Sequence, residues 1–184
     1  MRKVIASLFI TVDGVVESPD KWQEHFDEEM LAELNAQLAD QDAVLMGRVT
    51  YQEWADFWPN STDEPFASYI NNAPKYVVST TLDSVAWGIH NQITLLNSDL
   101  VEDINHLKQQ PGKNIGTAGS PTLVRSLLQN DLVDELRLLV HPVVVGRGQR
   151  FFDDSSALKR LKLVENKSSR TGTVILYYQP VQQA

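Results

Sequence analysis

Residue types that commonly bind anionic groups follow one of the buried, strand-like runs of the sequence. The run at 43–46 ends at Gly47, and Arg48 and Thr50 come directly after it, at an expected helix start. Backbone N–H groups at a helix start attract an anion, and a guanidinium group can bind a phosphate through two hydrogen bonds. The same residues also fit an ordinary strand–turn–helix with an arginine in solvent, and short motifs of this kind often match by chance. The loop is a candidate phosphate site with a plain structural alternative.

A second loop, residues 115–121, has glycines of the kind that a dinucleotide-binding loop uses. Gly116 and Gly119 would let the backbone approach a pyrophosphate, and a helix start follows at Ser120 and Pro121. The spacing differs from the dinucleotide fingerprint Gly-x-Gly-x-x-Gly, and a serine before a proline is also typical of a plain helix N-cap. This loop is a second candidate phosphate site, and here too the structural alternative stays open.

The candidates for moving a proton or orienting a substrate are Asp27 and His25. Helical spacing over 26–38 places Asp27 in the apolar sector of the helix with Met30, and places Glu33 outside that sector. A carboxylate on an inward face would have a raised pKa or would orient a substrate N–H group. The alternative is that Asp27 lies in the first turn of the helix, where the helix dipole stabilises it. His25, close to these residues, is a candidate proton donor.

Strand-like and helix-like runs alternate along most of the chain, which predicts an α/β domain with a mainly parallel sheet and flanking helices. Ligands of such open sheets bind where the strands end, which is where both candidate loops lie. Two β-rich runs, 161–164 and 173–179, surround a turn at 168–172 and predict an antiparallel hairpin at the sheet edge. No repeat or linker interrupts the pattern, so we expect a single domain over residues 1–184. The other expected strands are at 2–10, 43–46, 76–79, 93–96, 114–117, 136–140 and 143–145, and expected helices include 26–38, 99–109 and 121–128.

The composition excludes several classes of function. A net charge of −8 and a sequence pI near 4.9 argue against sequence-independent nucleic-acid binding, which needs a basic surface. No run of apolar residues is long enough to span a membrane, and the absence of cysteine excludes disulfides, thiolate zinc sites and thiol nucleophiles. The histidines show no metal-ligand spacing. We therefore expect a cytoplasmic protein with no bound metal and with neither a nucleic-acid nor a membrane partner.

Taken in order, the motifs resemble the dihydrofolate reductase-like superfamily. Within it, the chain is most similar to bacterial dihydrofolate reductase family proteins related to the reductase domain of the riboflavin-pathway deaminase–reductase. The similarity extends over residues 2–180 and implies a mostly parallel central sheet with a C-terminal antiparallel hairpin. It depends on Asp13-Gly14 after the first strand, Leu-Met-Gly-Arg-Val-Thr-Tyr at 45–51, Lys-Tyr-Val-Val-Ser at 75–79, Gly119-Ser120, and the runs at 132–136 and 142–148.

The resemblance also implies that NADPH lies across the ends of the strands. Where the family has a Gly-Gly pair, this chain has Gly119-Ser120, which adds a Cβ to the loop. By position, the adenosine phosphates would contact Gly47, Arg48 and Thr50, and the 2′-phosphate would approach Ser79 and Thr80. The pyrophosphate would lie along Gly116, Gly119, Ser120 and Thr122, and the nicotinamide would be bordered by Ala6, Asp13, Gly14 and Val16.

The residues and the resemblance leave two hypotheses about function. The first is an NADPH-dependent reductase of a small heterocyclic substrate, similar to a pterin or a pyrimidine, or of a carbonyl substrate. The second is a non-catalytic ligand-binding or stress-related protein that retains the fold. Riboflavin-pathway reductases also need basic residues for a substrate phosphate, and Lys21 is the only cation between Lys3 and Arg48. Aromatic residues that could stack on a heterocycle, or form a core or cleft wall, are Trp22, Phe26, Trp54, Phe57 and Trp58.

We also expect a homodimer that uses the C-terminal region. The run at 142–145 and the C-terminal hairpin would leave strand edges unpaired. Because native proteins tend to cover unpaired edges, a second copy of the chain is expected to pack there.

Overall fold

A computed structural model describes residues 1–24, 26–153 and 157–181. None of the helices in these ranges is long and apolar enough to cross a membrane. The strands are β1 (Val4–Thr11), β2 (Gln41–Gly47), β3 (Lys75–Val78), β4 (Ile93–Leu96), β5 (Asn114–Thr117), β6 (Glu135–His141), β7 (Leu161–Ser168) and β8 (Val174–Pro180). The α-helices are α1 (Glu28–Asp40), α2 (Arg48–Phe57), α3 (Phe66–Asn72), α4 (Leu100–Gln109) and α5 (Pro121–Gln129), and short 3-10 helices span Pro19–Lys21 and Trp58–Asn60.

These strands form one sheet in the order β4-β3-β2-β5-β1-β6-β8-β7. The pairs from β4 through to β6 are parallel, whereas β8 is antiparallel to both β6 and β7. β7 and β8 are the C-terminal hairpin, and β7 lies at the edge of the sheet. This topology confirms the predicted α/β fold with a mostly parallel sheet and an antiparallel hairpin at its edge.

The two faces of the sheet pack against different helices, because successive side chains of β1 point to opposite faces. On one face, Leu8 lies in the main core together with Ile104 of α4 and Leu127 of α5. On the other face, Phe9 packs against the cluster that contains Met30 of α1. Helix α1 therefore lies over the part of the sheet where β1 and β6 run side by side.

A fully buried lysine anchors α3 to the sheet. The Nζ atom of Lys75, in β3, donates hydrogen bonds of 2.7 Å to the carbonyl oxygens of Ile70 and Ala73, at the C-terminal end of α3. The ammonium group also lies 5.1 Å from the centroid of the Trp87 ring. Burial lowers the pKa of Lys75 to about 8. The charge is thus held by carbonyl dipoles and an aromatic face rather than by a carboxylate.

One expected strand does not form: residues 143–145 are a loop. The backbone N–H groups of Val145 and Gly146 donate to the carboxylate of Asp13, which lies in the loop after β1. Because these N–H groups bond to a neighbouring loop, they do not join a strand ladder. The prediction of a strand at 143–145 was wrong, since its run of valines reflected β-propensity without a strand to pair with.

Candidate active site

The two candidate loops, separate in the sequence, meet in the structure. Gly47 ends β2 and directly precedes α2, and a Cβ built on it would lie closer than 3.0 Å to Ser120 Oγ, at the start of α5. A Cβ on Gly119 would lie 2.9 Å from Thr50 Oγ1, in the first turn of α2. The absence of side chains at the two glycines therefore allows the starts of α2 and α5 to touch. We call this contact the helix-start junction.

The helix-start junction has hydrogen-bond donors that no side chain caps among the described residues. Neither α2 nor α5 has a side-chain cap at its N-terminus, although Ser120 is a residue type that often caps. By contrast, α1 and α4 begin at Asp27 and Asp99, whose carboxylates accept first-turn N–H groups. Uncapped N–H groups and the positive ends of two helix dipoles in one place suit an anion such as a pyrophosphate.

Other residues predicted to contact the phosphates lie at or near the junction. Arg48 is exposed at the first position of α2, and its guanidinium donates a 3.0 Å hydrogen bond to Gln52 Oε1, one turn along the helix. Thr50 and Ser120 are buried, whereas Thr122 is exposed in the first turn of α5. A cationic side chain that is free to reach solvent therefore stands at the start of α2.

Gly116 has a structural role that needs no ligand. It lies inside β5, paired with Ile5 of β1 and Val44 of β2. A Cβ on Gly116 would overlap the carboxamide of Gln41, which packs against the strand at this point. The glycine is thus explained by packing within the sheet, and it is not part of the helix-start junction.

Ser79 and Thr80 follow the end of β3, which ends at Val78, one residue earlier than predicted. Ser79 is buried, and its hydroxyl accepts N–H groups of Thr81 and Leu82, both at 3.2 Å. Thr80 is exposed. The Ser79 hydroxyl therefore shapes the turn, and Thr80 is the one of the two whose side chain faces solvent.

The loop after β1 is held by Asp13. Hydrogen bonds from the Thr11 hydroxyl (2.6 Å) and from Gly146 N–H (2.8 Å) lower the pKa of Asp13 to about 2, so the carboxylate is ionised. Gly14 follows at a φ of 85°, which favours glycine, and Val16 is buried. Asp13 thus joins the loop after β1 to the loop after β6, and its side chain is occupied by these contacts.

An apolar cleft of about 280 Å³ lies between β1, α1 and α2. Ser7 and Phe9 of β1 form part of it, and Ala118, which lies next to Gly119, also lines it. The cleft therefore extends to the helix-start junction. Further lining residues are Met30, Glu33 and Leu34 of α1 and the aromatic residues Phe26, Trp54, Trp58 and Phe66.

Three of the lining aromatic residues pack edge to face as one wall. The ring centroids of Trp58 and Phe66 are 4.7 Å apart, and those of Trp54 and Phe66 are 5.5 Å apart. Of the aromatic residues predicted to stack on a substrate, Trp22 and Phe57 are not in the wall. Trp22 packs on His141, and Phe57 is exposed against Trp58.

Glu33 lines the cleft and was missed by the sequence analysis, which placed it on the outer side of the helix. Its carboxylate is buried, 2.9 Å from Lys167 Nζ and 3.6 Å from an Arg137 guanidinium nitrogen. The hydrogen bond to Glu33 raises the pKa of Lys167. The signal was the spacing of Met30 and Glu33, three residues apart and hence on one helix face. The sequence analysis assigned the buried face of α1 from its apolar residues alone. It therefore missed a buried acid that basic residues of β6 and β7 hold in place.

Asp27 does not line the cleft; it caps α1. One carboxylate oxygen accepts Met30 N–H at 3.0 Å, and the other accepts the N–H and hydroxyl of Thr171 at 3.1 and 2.8 Å. Desolvation opposes the charged form, but these hydrogen bonds outweigh it and lower the pKa of Asp27. Of the two alternatives left open for Asp27, the carboxylate stabilised at the helix start is the one observed, and the acid with a raised pKa is not. Because Asp27 is the N-cap, helix α1 begins at Glu28, two residues later than predicted.

His25, the other candidate for moving a proton, lies outside the described residues.

In the described part of the chain, no group of three or more His, Cys, Asp or Glu side chains is placed to hold a metal ion.

Comparison with known proteins places this geometry in context. The RibD C-terminal domain family matches residues 2–177. The Bacillus subtilis protein YyaP, itself uncharacterized, is 30% identical, and the match covers 96% of this chain and 94% of YyaP. Two solved structures share the fold. A putative riboflavin biosynthesis protein from Shewanella has a TM-score of 0.77 at 18% identity, over 98% of this chain and 99% of that one. Dihydrofolate reductase from Enterococcus faecalis, complexed with NADP(H), has a TM-score of 0.63 at 15% identity, over 98% and 97%.

Proposed function

Because the chain belongs to the RibD C-terminal domain family, we propose that it is a reductase that uses NADPH to reduce a small heterocyclic or carbonyl substrate. The observation that carries the proposal is that the apolar cleft reaches the helix-start junction at Ala118. A site for phosphate groups beside a cleft for a planar molecule is what a nicotinamide-dependent reductase needs.

The donors at the junction fit the phosphates of a dinucleotide. The first-turn N–H groups of α2 and α5, which follow Gly47 and Gly119, would hold the pyrophosphate, with Thr50, Ser120 and Thr122 around it. When bound, the reduced nicotinamide would supply the hydride. We assign the adenosine phosphates to Arg48, Ser79 and Thr80, and the nicotinamide side to Ala6, Asp13, Gly14 and Val16.

The chain itself would orient the substrate and exclude water. The wall of Trp54, Trp58 and Phe66 offers flat apolar surfaces for a planar ring. Glu33, fixed by Lys167 and Arg137, could accept a hydrogen bond from a substrate N–H group. Holding a substrate in one orientation next to the cofactor is a main source of rate enhancement.

A turnover screen with matched variants tests the proposal. NADPH and NADH are each incubated with pterins, pyrimidines and simple carbonyl compounds, and loss of the reduced nicotinamide is followed by absorbance. We expect turnover with at least one substrate. Phe66→Leu, in the cleft wall, should raise KM, whereas Phe57→Leu, the same change outside the cleft, should not. Wild-type protein that binds neither nicotinamide would contradict the proposal and favour a non-catalytic ligand-binding protein.

A further inference from the structure

The cleft has a carboxylate in its lining, whereas the helix-start junction beside it has groups that attract an anion. Among the described residues that line the cleft, Glu33 is the only ionisable one. Its cationic partners, Arg137 and Lys167, contact the carboxylate but do not line the cavity. The lining that a ligand would touch therefore offers one carboxylate and no cation. Features that attract an anion, two uncapped helix starts and Arg48, are instead found next to the cleft, at the starts of α2 and α5.

Polar groups in the cleft are few and uncharged apart from Glu33. Ser7 Oγ is buried and has no hydrogen-bond partner among the described residues, and Ser7 lines the cavity. A buried hydroxyl without a partner is unusual, because leaving it unpaired costs free energy that a ligand could recover. Gln23 and Gln37 add carboxamides to the lining. The cleft can thus pair with a small number of N–H or carbonyl groups within aromatic walls.

The size of the cleft also favours a small ligand without a phosphate group. Its volume of about 280 Å³ is just below the roughly 300–1,000 Å³ typical of ligand pockets. A phosphate ester placed there would bring its negative charge among apolar rings, and no cation in the described lining would pair with it. Such a charge is tolerated only where a cation pairs with it.

We propose that the cleft takes an unphosphorylated, planar heterocycle without negative charge, which bonds to Glu33 through an N–H group and to the hydroxyl of Ser7 through a second polar atom. This rests on the proposed function, because it names the substrate class of the same site. It separates this chain from reductases whose substrate carries a phosphoribosyl group. One structural neighbour, from Thermotoga maritima, is a 5-amino-6-(5-phosphoribosylamino)uracil reductase of this kind.

The test is a matched pair of ligands that differ only in the phosphate. Binding of 5-amino-6-ribosylaminouracil and of its 5′-phosphate is measured by calorimetry, with and without saturating NADPH. We expect the unphosphorylated compound to bind at least about tenfold more tightly. Equal or tighter binding of the phosphate would overturn the inference, and so would failure of both compounds to bind at millimolar concentration.

Variants show whether binding is in the cleft. Glu33→Gln should weaken binding of the unphosphorylated compound about tenfold, because it removes the charge that accepts the N–H group. Ser7→Ala, which disturbs no ion pair, should weaken it severalfold and remains informative if Glu33→Gln fails to fold. Glu135→Gln is the control, since Glu135 also pairs with Arg137 but does not line the cleft. Unchanged affinity in both cleft variants would place the ligand elsewhere and contradict the inference.

Failure of the inference and failure of the proposed function give different results. NADPH binding is measured separately through nicotinamide fluorescence. If NADPH binds and the phosphate ester is preferred, the substrate class is wrong and the reductase proposal stands. If NADPH does not bind while the unphosphorylated compound binds through Glu33 and Ser7, the reductase proposal fails and the assignment of the cleft stands.

Discussion

Ser120 Oγ lies so close to the α-carbon of Gly47 that any side chain at position 47 would overlap it. This contact joins the end of β2 to the loop after β5 and brings two uncapped helix starts together. The contact also explains how the serine of the Gly119-Ser120 pair is accommodated, because its side chain is buried in the junction. The geometry of the candidate phosphate site therefore depends on one glycine and the serine that packs on it.

Gly47→Ala should lower both stability and NADPH affinity. The added methyl group would push Ser120 away and separate the starts of α2 and α5. Overpacking of this kind costs typically about 1–3 kcal/mol of unfolding free energy. Chemical denaturation and a fluorescence titration with NADPH measure the two effects.

The control for this prediction is a double-mutant cycle. Ser120→Gly removes the atoms that the new methyl group would meet, so Gly47→Ala should cost less in that background than in wild type. Equal costs in the two backgrounds would mean that the clash with Ser120 is not the cause.

Arg48→Ala should weaken NADPH binding by about ten- to a hundredfold, since a hydrogen bond to a charged group is worth roughly 1.5–3 kcal/mol. If Arg48 contacts the 2′-phosphate, NADH affinity should fall much less; if it contacts the pyrophosphate, both should fall together. Arg160→Ala, which removes an exposed arginine from the segment before β7, is the charge-matched control and should bind as wild type. An Arg48→Ala protein with wild-type NADPH affinity would remove this residue from the site.

Asp27→Ala should lower the thermal unfolding midpoint and leave kcat/KM unchanged. The carboxylate caps α1 and holds Thr171, and its pKa is lower in the folded protein than in the unfolded chain. Its contribution to stability is therefore present above about pH 4 and is lost as the pH falls through the folded pKa. The difference in midpoint between wild type and variant should shrink in acid. A loss of turnover with unchanged stability would restore a catalytic role.

Lys75→Met should change how stability depends on alkaline pH. In wild type, burial lowers the pKa of Lys75 to about 8 from an ordinary value of 10.5. Between these values the unfolded chain binds the extra proton, so this group makes the unfolding free energy rise with pH. Urea unfolding across that range should show the rise in wild type and its absence in the variant. Parallel curves for the two proteins would show that Lys75 does not titrate in this range.

The homodimer expected from the sequence stays a prediction, and β7 is where the structure would support it. This strand lies at the edge of the sheet, and Leu163 and Val164 on it are 45% and 43% exposed. Light scattering should give twice the mass of the chain, and Leu163→Lys should return it to the monomer mass. Wild-type protein that is monomeric at working concentration would end the idea.

The order of strands and helices was predictable because local patterns and packing agree over most of the chain. The absence of a strand at 143–145 was not predictable, because the β-propensity of this run is outweighed by a hydrogen bond from Val145 to Asp13. Asp13 is 132 positions earlier in the chain, and only the fold brings it close. Glu33 was missed because its burial depends on Lys167 and Arg137, in distant strands. The residue types and spacing of both loops of the junction identified them as candidate phosphate sites. Their contact through Gly47 and Ser120 depends on the tertiary structure and could not be predicted from local sequence.

The crystal structure of the complex with NADPH tests the central claim most directly. The account predicts that the pyrophosphate lies between the starts of α2 and α5, at Gly47 and Gly119, and that the nicotinamide is next to Ala118 at the end of the cleft. A pyrophosphate bound away from these helix starts, or crystals that take up no NADPH at saturating concentration, would contradict it.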